Sequence, residues 1–587
     1  MKRGISRFFL CLFCLVFLPG LVVGQQVSLT ILHTNDTHSH LLPFSYPSVA
    51  PPGSEVAALK VRRDIGGIAR RATLVKRLRD ELEHRGTAVW LVDAGDFYEG
   101  TPFSSEYHGE ADVDAMNATG YTFGTIGNHE LDIPLAMLKK LIGQAKFPLL
   151  CANLIENATG KTLVLPSEIR QVGQMKIGIF GLTTPSASGY PAAKEGLTIA
   201  NEIETARKTA DTLRRDADII VLISHAGENV DEQIAKAVPG IEIIVGGHSH
   251  TRLPEGEVIR RSDVLVKNTV NGTIIVQAYQ WGGELGRLDL LFGRDKRGVW
   301  RVKQYRERLI PVTSKYPDDP AVAAIVDRYW KPIAAHYGEV VGRAAADFVE
   351  RGDDLAPYSL VADAVRETFG AEIELENMGG VRASITKGDI TLANLIEMDP
   401  FNNTVVTFKI TGRQLKDILL RNRPAVSGLR YRVEGGQLSK VTVAGKPLVD
   451  DQVYTGASNF YMAGTALKGI SVVDTGKVRL NVLIDYIRKK GSVRPSYDGR
   501  RAILNQSTHP RFREESPAAG SGLPSPRTNA APSGIYAEDF QGTPSPPDWI
   551  QRNWGLGPDG AVDLAISKSF DSSKVYKACC RLIMDIL

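Results

Sequence analysis

Residues Thr125–Asp132 read TIGNHELD. An apolar run enters a glycine, and Asn128, His129 and Asp132 follow within five positions. Four other stretches share this form. They are ILHTNDTHSH (31–40, with Asp36 and His38), VDAGDFYEG (92–100, with Asp96), ISHAGEN (223–229, with His225) and VGGHSHT (245–251, with His248 and His250). In each, a β-rich segment runs straight into polar residues, often beside glycine. Seven of the eleven histidines lie in or beside these five sites, which random scatter would not produce.

Working outward, the same segments set the fold class. Strand candidates (VSLTILH, TAVWLVDAGD, FGTIGNHE, PLLCANL, MKIGIFGLT, DIIVLISHAG, IEIIVGGHSH, TIIVQA) alternate with helical patterns up to about Pro311. Between the first two, Ile65, Ile68, Ala72, Val75, Leu78 and Leu82 recur at three- and four-residue steps, forming one apolar helical stripe. Alternation of this kind predicts an α/β sandwich with its sheets covered by helices. In such folds, side chains at the carboxyl ends of neighbouring strands converge on one crevice.

The residue types dictate the chemistry of that crevice. Asp supplies hard oxygen, imidazole supplies nitrogen, and no cysteine takes part, a set suited to Zn, Mn, Fe or Co. Seven candidate ligands are too many for one ion and fit two divalent ions if one carboxylate bridges. Two such ions against two Asp charges leave a net +2, which attracts phosphate dianions and activates water.

The remaining chain organises around this core. DDPAVAAIVDRYWKPIAAHY (318–337) reads as a helix starting at Pro320, a favourable first-turn residue. A second segment follows with mixed helix and strand signals and turns such as EGGQ. Lys2, Arg3 and Arg7 precede an apolar run from Phe8 to Leu18, the build of an export signal. Residues 506–548 are rich in Pro, Ser, Gly and Ala, as in disordered linkers. The expected division is signal peptide 1–24, first domain 25–312, linker helix 313–340, second domain 341–505 and tail 506–587. Once Cys11 and Cys14 leave with the signal, Cys151, Cys579 and Cys580 form no disulfide framework, and Cys151 reads as a buried thiol. A formal net charge of +4 over 587 residues argues against a dedicated nucleic-acid binder. No stable membrane insertion is expected after signal cleavage.

ND-x-H, AGD, GNHE-x-D, SHAG and GGHSHT, in this order and at strand ends, resemble the calcineurin-like metallophosphoesterases. The resemblance is closest to the secreted 5′-nucleotidase family, which includes periplasmic UDP-sugar hydrolases, and covers roughly residues 27–505. It implies an α/β sandwich metallophosphoesterase domain joined by a helix to an α+β C-terminal substrate-binding domain. It further implies one metal held by Asp36, His38, Asp96 and His250, and a second by Asp96, Asn128, His225 and His248. A hydroxide shared by the metals would attack phosphorus in line. His129 would then face the phosphate, with Asp132 orienting it. His33 and His40 are left as structural.

In the second segment, NMGGVR (377–382) is similar to the family's Asn-Gly-Gly-Gly-x-Arg loop. By that resemblance Arg382 binds phosphate and Asn377 contacts the nucleoside. Phe401 in DPFNNT and Phe460 in ASNFYMAG match the two aromatics that sandwich a base, and stacking tolerates many bases. Arg351 in VERGDDLAP is the candidate for an upstream phosphate-binding arginine. Where the family often carries Gly-Gly-Asp-Gly after the second aromatic, this chain has MAGTALKG, with Ala466 near the position of the ribose-contacting Asp.

The expected activity is phosphate release from nucleoside 5′-monophosphates, or cleavage of nucleotide derivatives such as UDP-sugars, outside the cytoplasm. Alternatives are a 2′,3′-cyclic-nucleotide phosphodiesterase with 3′-nucleotidase activity, a thiosulfohydrolase and a non-catalytic metal-binding adhesion protein. The paired phenylalanines favour a nucleotide over a carrier-protein tail. The His129–Asp132 pair has no use in a purely structural metal site.

Overall fold

The computed structural model describes residues 26–46, 55–260 and 272–504. The expected signal and the tail lie outside these residues. Among the described residues, no helix is long and apolar enough to cross a membrane.

Two six-stranded sheets pack face to face in the N-terminal half. The first runs Trp300–Pro311, Glu284–Arg294, Gln26–Thr34, Ala88–Asp93, Phe123–Thr125, Leu149–Leu150. The second runs Glu257–Arg260, Gly272–Val276, Ile243–Gly246, Ile219–His225, Met175–Thr183, Ser167–Val172. Strand alternation explains the layering. In the strand Ile219–His225, Ile219, Val221 and Ile223 face the inter-sheet core with Leu29, Ile31, Val92 and Phe123. Ile220 and Leu222 face the opposite side and pack under helices with Ala206, Ala210 and Ile234. Strands buried on both faces read as continuous apolar runs, as these do.

Of the apolar stripe, Ile68, Ala72, Val75, Leu78 and Leu82 lie in the helix Ile68–Glu83 and are buried on the outer face of the first sheet, whereas Ile65 precedes the helix in the short strand Ile65–Gly66. Burial of each larger member is worth roughly 2 kcal/mol relative to exposure. Cys151 is buried, and burial pushes its thiol up to about 12.

The helix expected over 318–337 occurs as two pieces, Pro320–Trp330 and Ala334–Tyr337. The Asp319 side chain caps the first, accepting from the N–H groups of Ala321 and Val322 (3.0 and 3.2 Å). Pro332 lies in the break: it has no N–H to donate and its ring clashes with the preceding turn. Val322 and Val326 pack into the N-terminal helical core.

Beyond it, a five-stranded sheet runs Ala425–Ser427, Ile373–Glu376, Val453–Asn459, Thr404–Thr411, Val472–Val478. The helices Ala356–Phe369 and Arg479–Lys490 pack beside it. EGGQ is the turn of the hairpin Leu429–Glu434/Gln437–Val443, with Gly435 and Gly436 at φ 56° and 76°. Positive φ at both central residues matches the right-handed strand twist, which glycine accommodates without strain.

Candidate active site

Neighbouring parallel strands Gln26–Thr34, Ala88–Asp93 and Phe123–Thr125 end together in the first sheet, and Ile219–His225 and Ile243–Gly246 in the second. At or just past those ends stand Asp36, Asp96, Asn128, His225, His248 and their neighbours. Donor atoms of Asp36, His38 and His250 lie within 4.8 Å of one another, as do those of Asp96, His225 and His248. His225 Nε2 is 3.0 Å from Asp96 Oδ2 and 3.1 Å from Asn128 Oδ1. His250 Nε2 is 3.2 Å from both Asp36 Oδ1 and His38 Nε2. Asp96 stands between the groups, its Oδ2 also 4.0 Å from His38 Nε2.

The backbone is bent to present these groups. Asp36, His38, Asp96, His248 and His250 all have positive φ, from 46° to 72°. Such geometry costs of order 1 kcal/mol or more per non-glycine residue and persists only where its surroundings enforce it. A Cβ at Gly127 would overlap the Asp96 carboxylate, so the glycine of GNHE admits Asp96 to the centre.

Surrounding hydrogen bonds aim the donors. His38 Nδ1–H donates to the Glu99 carbonyl (2.8 Å) and His225 Nδ1–H to the Ala94 carbonyl (2.7 Å). Both rings therefore turn Nε2 inward, the arrangement that orients metal-binding histidines. The His248 N–H donates to Asp36 (3.0 Å) and the His129 N–H to Asp96 Oδ1 (2.8 Å).

The donor set fits two divalent ions. Three oxygen and four imidazole side chains converge there, all buried except His248 and His250, which are half-buried. Burial opposes charge on His225, yet Asp96 and Asp36 hold it up at about 10, so the centre calls for positive charge where the two groups meet. Burial would also neutralise Asp96, but His225, His129 and His38 keep it well below the usual carboxylate range.

His129 Nδ1 donates to Asp132 Oδ2 at 2.6 Å. Burial opposes the imidazolium, while Asp96, Asp132 and Glu99 raise it to about 9. Two carboxylates here escaped the sequence reading. Glu130 accepts from the N–H groups of Asp96 (3.0 Å), Gly127 (2.6 Å) and Tyr98 (3.0 Å), tying two of the strand-end turns together. Glu99 lies 3.4 Å from His129 Nδ1. Their only signal was an acidic residue inside each motif, which alone looks like a turn. His33 and His40 are both buried, His33 against Glu307 (3.1 Å) and His40 stacked on Trp281 at 4.5 Å.

The second half reaches this centre. Arg382 Nη2 donates to His38 Nε2 at 3.1 Å, and Phe401 lies over His129 with ring centroids 6.0 Å apart. Phe460, at the start of the helix Phe460–Gly464, is 55% exposed, and among the described residues no ring contact joins it to Phe401. The Asn377 amide packs against that of Asn459. One buried group links these elements. Arg479 donates to Glu376, Asp399 and the Gly380 carbonyl at 2.6–2.8 Å, and Glu376 also accepts from Asn459 (2.8 Å). Asn459 Oδ1 in turn caps the helix that begins at Phe460.

Arg351 is not brought to the site. It is exposed, with its guanidinium 3.9 Å from the Tyr497 ring. Its strand neighbour Glu350 instead lines the cavity that includes Arg382, as alternation along a strand requires.

Comparison with known proteins agrees with this architecture. Residues 29–252 match the calcineurin-like phosphoesterase family and residues 340–471 the 5′-nucleotidase C-terminal domain. The 5′-nucleotidase of Vibrio cholerae is 29% identical over 528 residues, covering 80% of this chain and 92% of that protein. The trifunctional nucleotide phosphoesterase protein YfkN of Bacillus subtilis is 27% identical over 549 residues, covering 80% of this chain but only 34% of that longer protein. The crystal structure of a 5′-nucleotidase precursor from Thermus thermophilus superposes with a TM-score of 0.72 at 28% identity, covering 82% of this chain and all of that one. The chain carries an N-terminal calcineurin-like phosphoesterase domain and a 5′-nucleotidase C-terminal domain, the make-up of a 5′-nucleotidase-like, metal-dependent phosphoester hydrolase.

Proposed function

We propose that this protein is an exported two-metal phosphohydrolase that releases phosphate from nucleoside 5′-monophosphates or cleaves nucleotide derivatives such as UDP-sugars. One observation carries the reading: Arg382 and Phe401 of the second half close directly onto the donor cluster and His129 of the first. A phosphate at the donors thus has an arginine and an aromatic ring beside it.

Asp36, His38, Asp96 and His250 would hold one ion, and Asp96, Asn128, His225 and His248 the other. When bound, such ions neutralise phosphate charge and make water a competent nucleophile near neutral pH. The chain's own residues do the rest. With Nδ1 committed to Asp132, His129 keeps Nε2 for a phosphate or leaving-group oxygen, where it stabilises developing charge. Arg382 offers a planar, permanently charged fork for phosphate oxygens. Phe401 and Phe460 would stack the base, with Asn377 beside it.

Substrate choice is tested on purified mature protein with added Mn²⁺ or Zn²⁺, comparing AMP, UDP-glucose and 2′,3′-cyclic AMP. Chelator-sensitive phosphate release from AMP or UDP-glucose is expected. Release from the cyclic substrate alone would establish the phosphodiesterase alternative instead. Silence on all three with two metals bound would reject a nucleotide substrate.

His129→Ala should lower kcat by roughly 10²–10³-fold, the range for a lost proton-transfer or charge-stabilising group. Metal content should stay at the wild-type value. Unchanged turnover would remove His129 from the mechanism.

A further inference from the structure

Glu99 ends the AGDFYE turn three residues after Asp96. Its φ is 73°, a conformation that few non-glycine residues adopt. Its carbonyl accepts from His38 Nδ1–H, while its carboxylate lies 3.4 Å from His129 Nδ1. The side chains of Glu99 and His129 are each only 7% exposed. Among the described residues, neither oxygen of the Glu99 carboxylate has a hydrogen-bond partner. A dry carboxylate left in this state is costly unless a cation faces it. The group in contact is the His129 imidazole, its Nδ1 3.4 Å from the carboxylate.

Asp132 already occupies the Nδ1 proton at 2.6 Å, and its side chain is 25% exposed. Glu99 at 3.4 Å is too far for a second strong hydrogen bond but close enough for a strong ion contact. Coulomb attraction grows as water is excluded, so the drier carboxylate exerts more field per charge than the wetter one.

We propose that Glu99 is a second positioning residue for His129, a dry carboxylate that contacts Nδ1 beside Asp132 and keeps the ring's other nitrogen turned to the substrate. This rests on the reading that His129 acts on the phosphate. Asp132 supplies direction, and Glu99 supplies field and a wall against ring rotation. Because the same residue fixes His38 through its main chain, the tilt of a metal-site histidine and the tilt of His129 are set by one turn.

The test is steady-state phosphate release from AMP by the metal-loaded full chain, with metal content measured on the same samples. Glu99→Gln is made both alone and in the His129→Ala background. Alone, it should lower kcat about tenfold with KM within about twofold of wild type, the signature of an interaction used in the transition state. Metal content should be unchanged. With His129 already Ala, the same substitution should alter kcat less than about twofold, because neighbouring groups acting as one unit are not additive. Should Glu99→Gln not fold, Glu99→Asp keeps the charge but withdraws it by one methylene. It should then give a smaller kcat loss that also vanishes in the His129→Ala background. A kcat loss that persists without His129, or the loss of a metal equivalent, would overturn the proposal, since Glu99 would then act on His38 or hold a cation itself. So would wild-type kcat in the single variant. If His129→Ala alone leaves kcat unchanged, the parent reading fails; if only the Glu99 effect is missing, this inference alone fails.

Discussion

Asp96→Asn should reduce kcat by roughly three orders of magnitude, about 4 kcal/mol of barrier, while leaving the fold intact. Asp96 is the one carboxylate placed between both donor groups, 3.0 Å from His225 and 4.0 Å from His38. Its second oxygen accepts the His129 N–H at 2.8 Å. Asn has the same shape and tolerates the required φ of 54° at least as well as Asp. The substitution therefore removes charge with little change in packing. Without that charge, the neutral amide is a poorer bridge between two cations. Metal content should fall below two per chain, and added Mn²⁺ should restore activity only in part. Thermal unfolding of the metal-free protein should stay close to wild type, which separates loss of metal from loss of fold. Turnover within tenfold of wild type with both metals retained would mean that Asp96 does not bridge.

The centre was legible in the sequence for a local reason. Each donor follows its strand within a few residues, so apolar runs ending in Asp, His or Asn announce both the strand and the crevice. The two-sheet architecture followed from the same runs, because strands buried on both faces carry no polar interruptions. The second half was legible only in part. NMGGVR, Phe401 and Phe460 stand out as motifs, yet the sheet that carries them is ordered by long-range pairings with no local signature. The resemblance points to Arg351, which instead lies against Tyr497, since strand alternation turns Glu350, not Arg351, toward the cavity. The long helix missed Pro332 as a break because the apolar pattern continues through it. Glu99 and Glu130 were passed over because their importance comes from burial against groups some 30 residues away, which spacing does not reveal.

Arg479 is the extreme of this kind. Its partners Asp399 and Glu376 lie 80 and 103 residues away, and nothing in RLNVLIDYIRKK marks it out from the other cations of its helix. Yet it is only 1% exposed and is tied, directly or through Glu376, to the elements that carry Asn377, Arg382, Phe401 and Phe460. Glu376 and Gly380 flank or belong to the Asn377–Arg382 loop, Asp399 begins the turn holding Phe401, and Glu376 reaches Asn459 ahead of Phe460. Arg479→Met fills similar volume but leaves two buried carboxylates facing each other without a cation. Breaking such a network from one side costs about 3–5 kcal/mol. We expect a lower unfolding midpoint and a loss of at least about 100-fold in kcat/KM on nucleotides, expressed largely in KM because binding elements are disordered rather than reacting groups removed. Metal content should be unchanged, since Arg479 touches none of the donors. Arg479→Lys should fall between the two, because one ammonium cannot serve both carboxylates with the fork geometry of a guanidinium. If Arg479→Met melts like wild type and keeps its KM, the network is dispensable, and the loop, Phe401 and Phe460 are held in register by packing alone. Loss of metal with KM preserved would instead mean that the second half stabilises the donor cluster rather than the substrate.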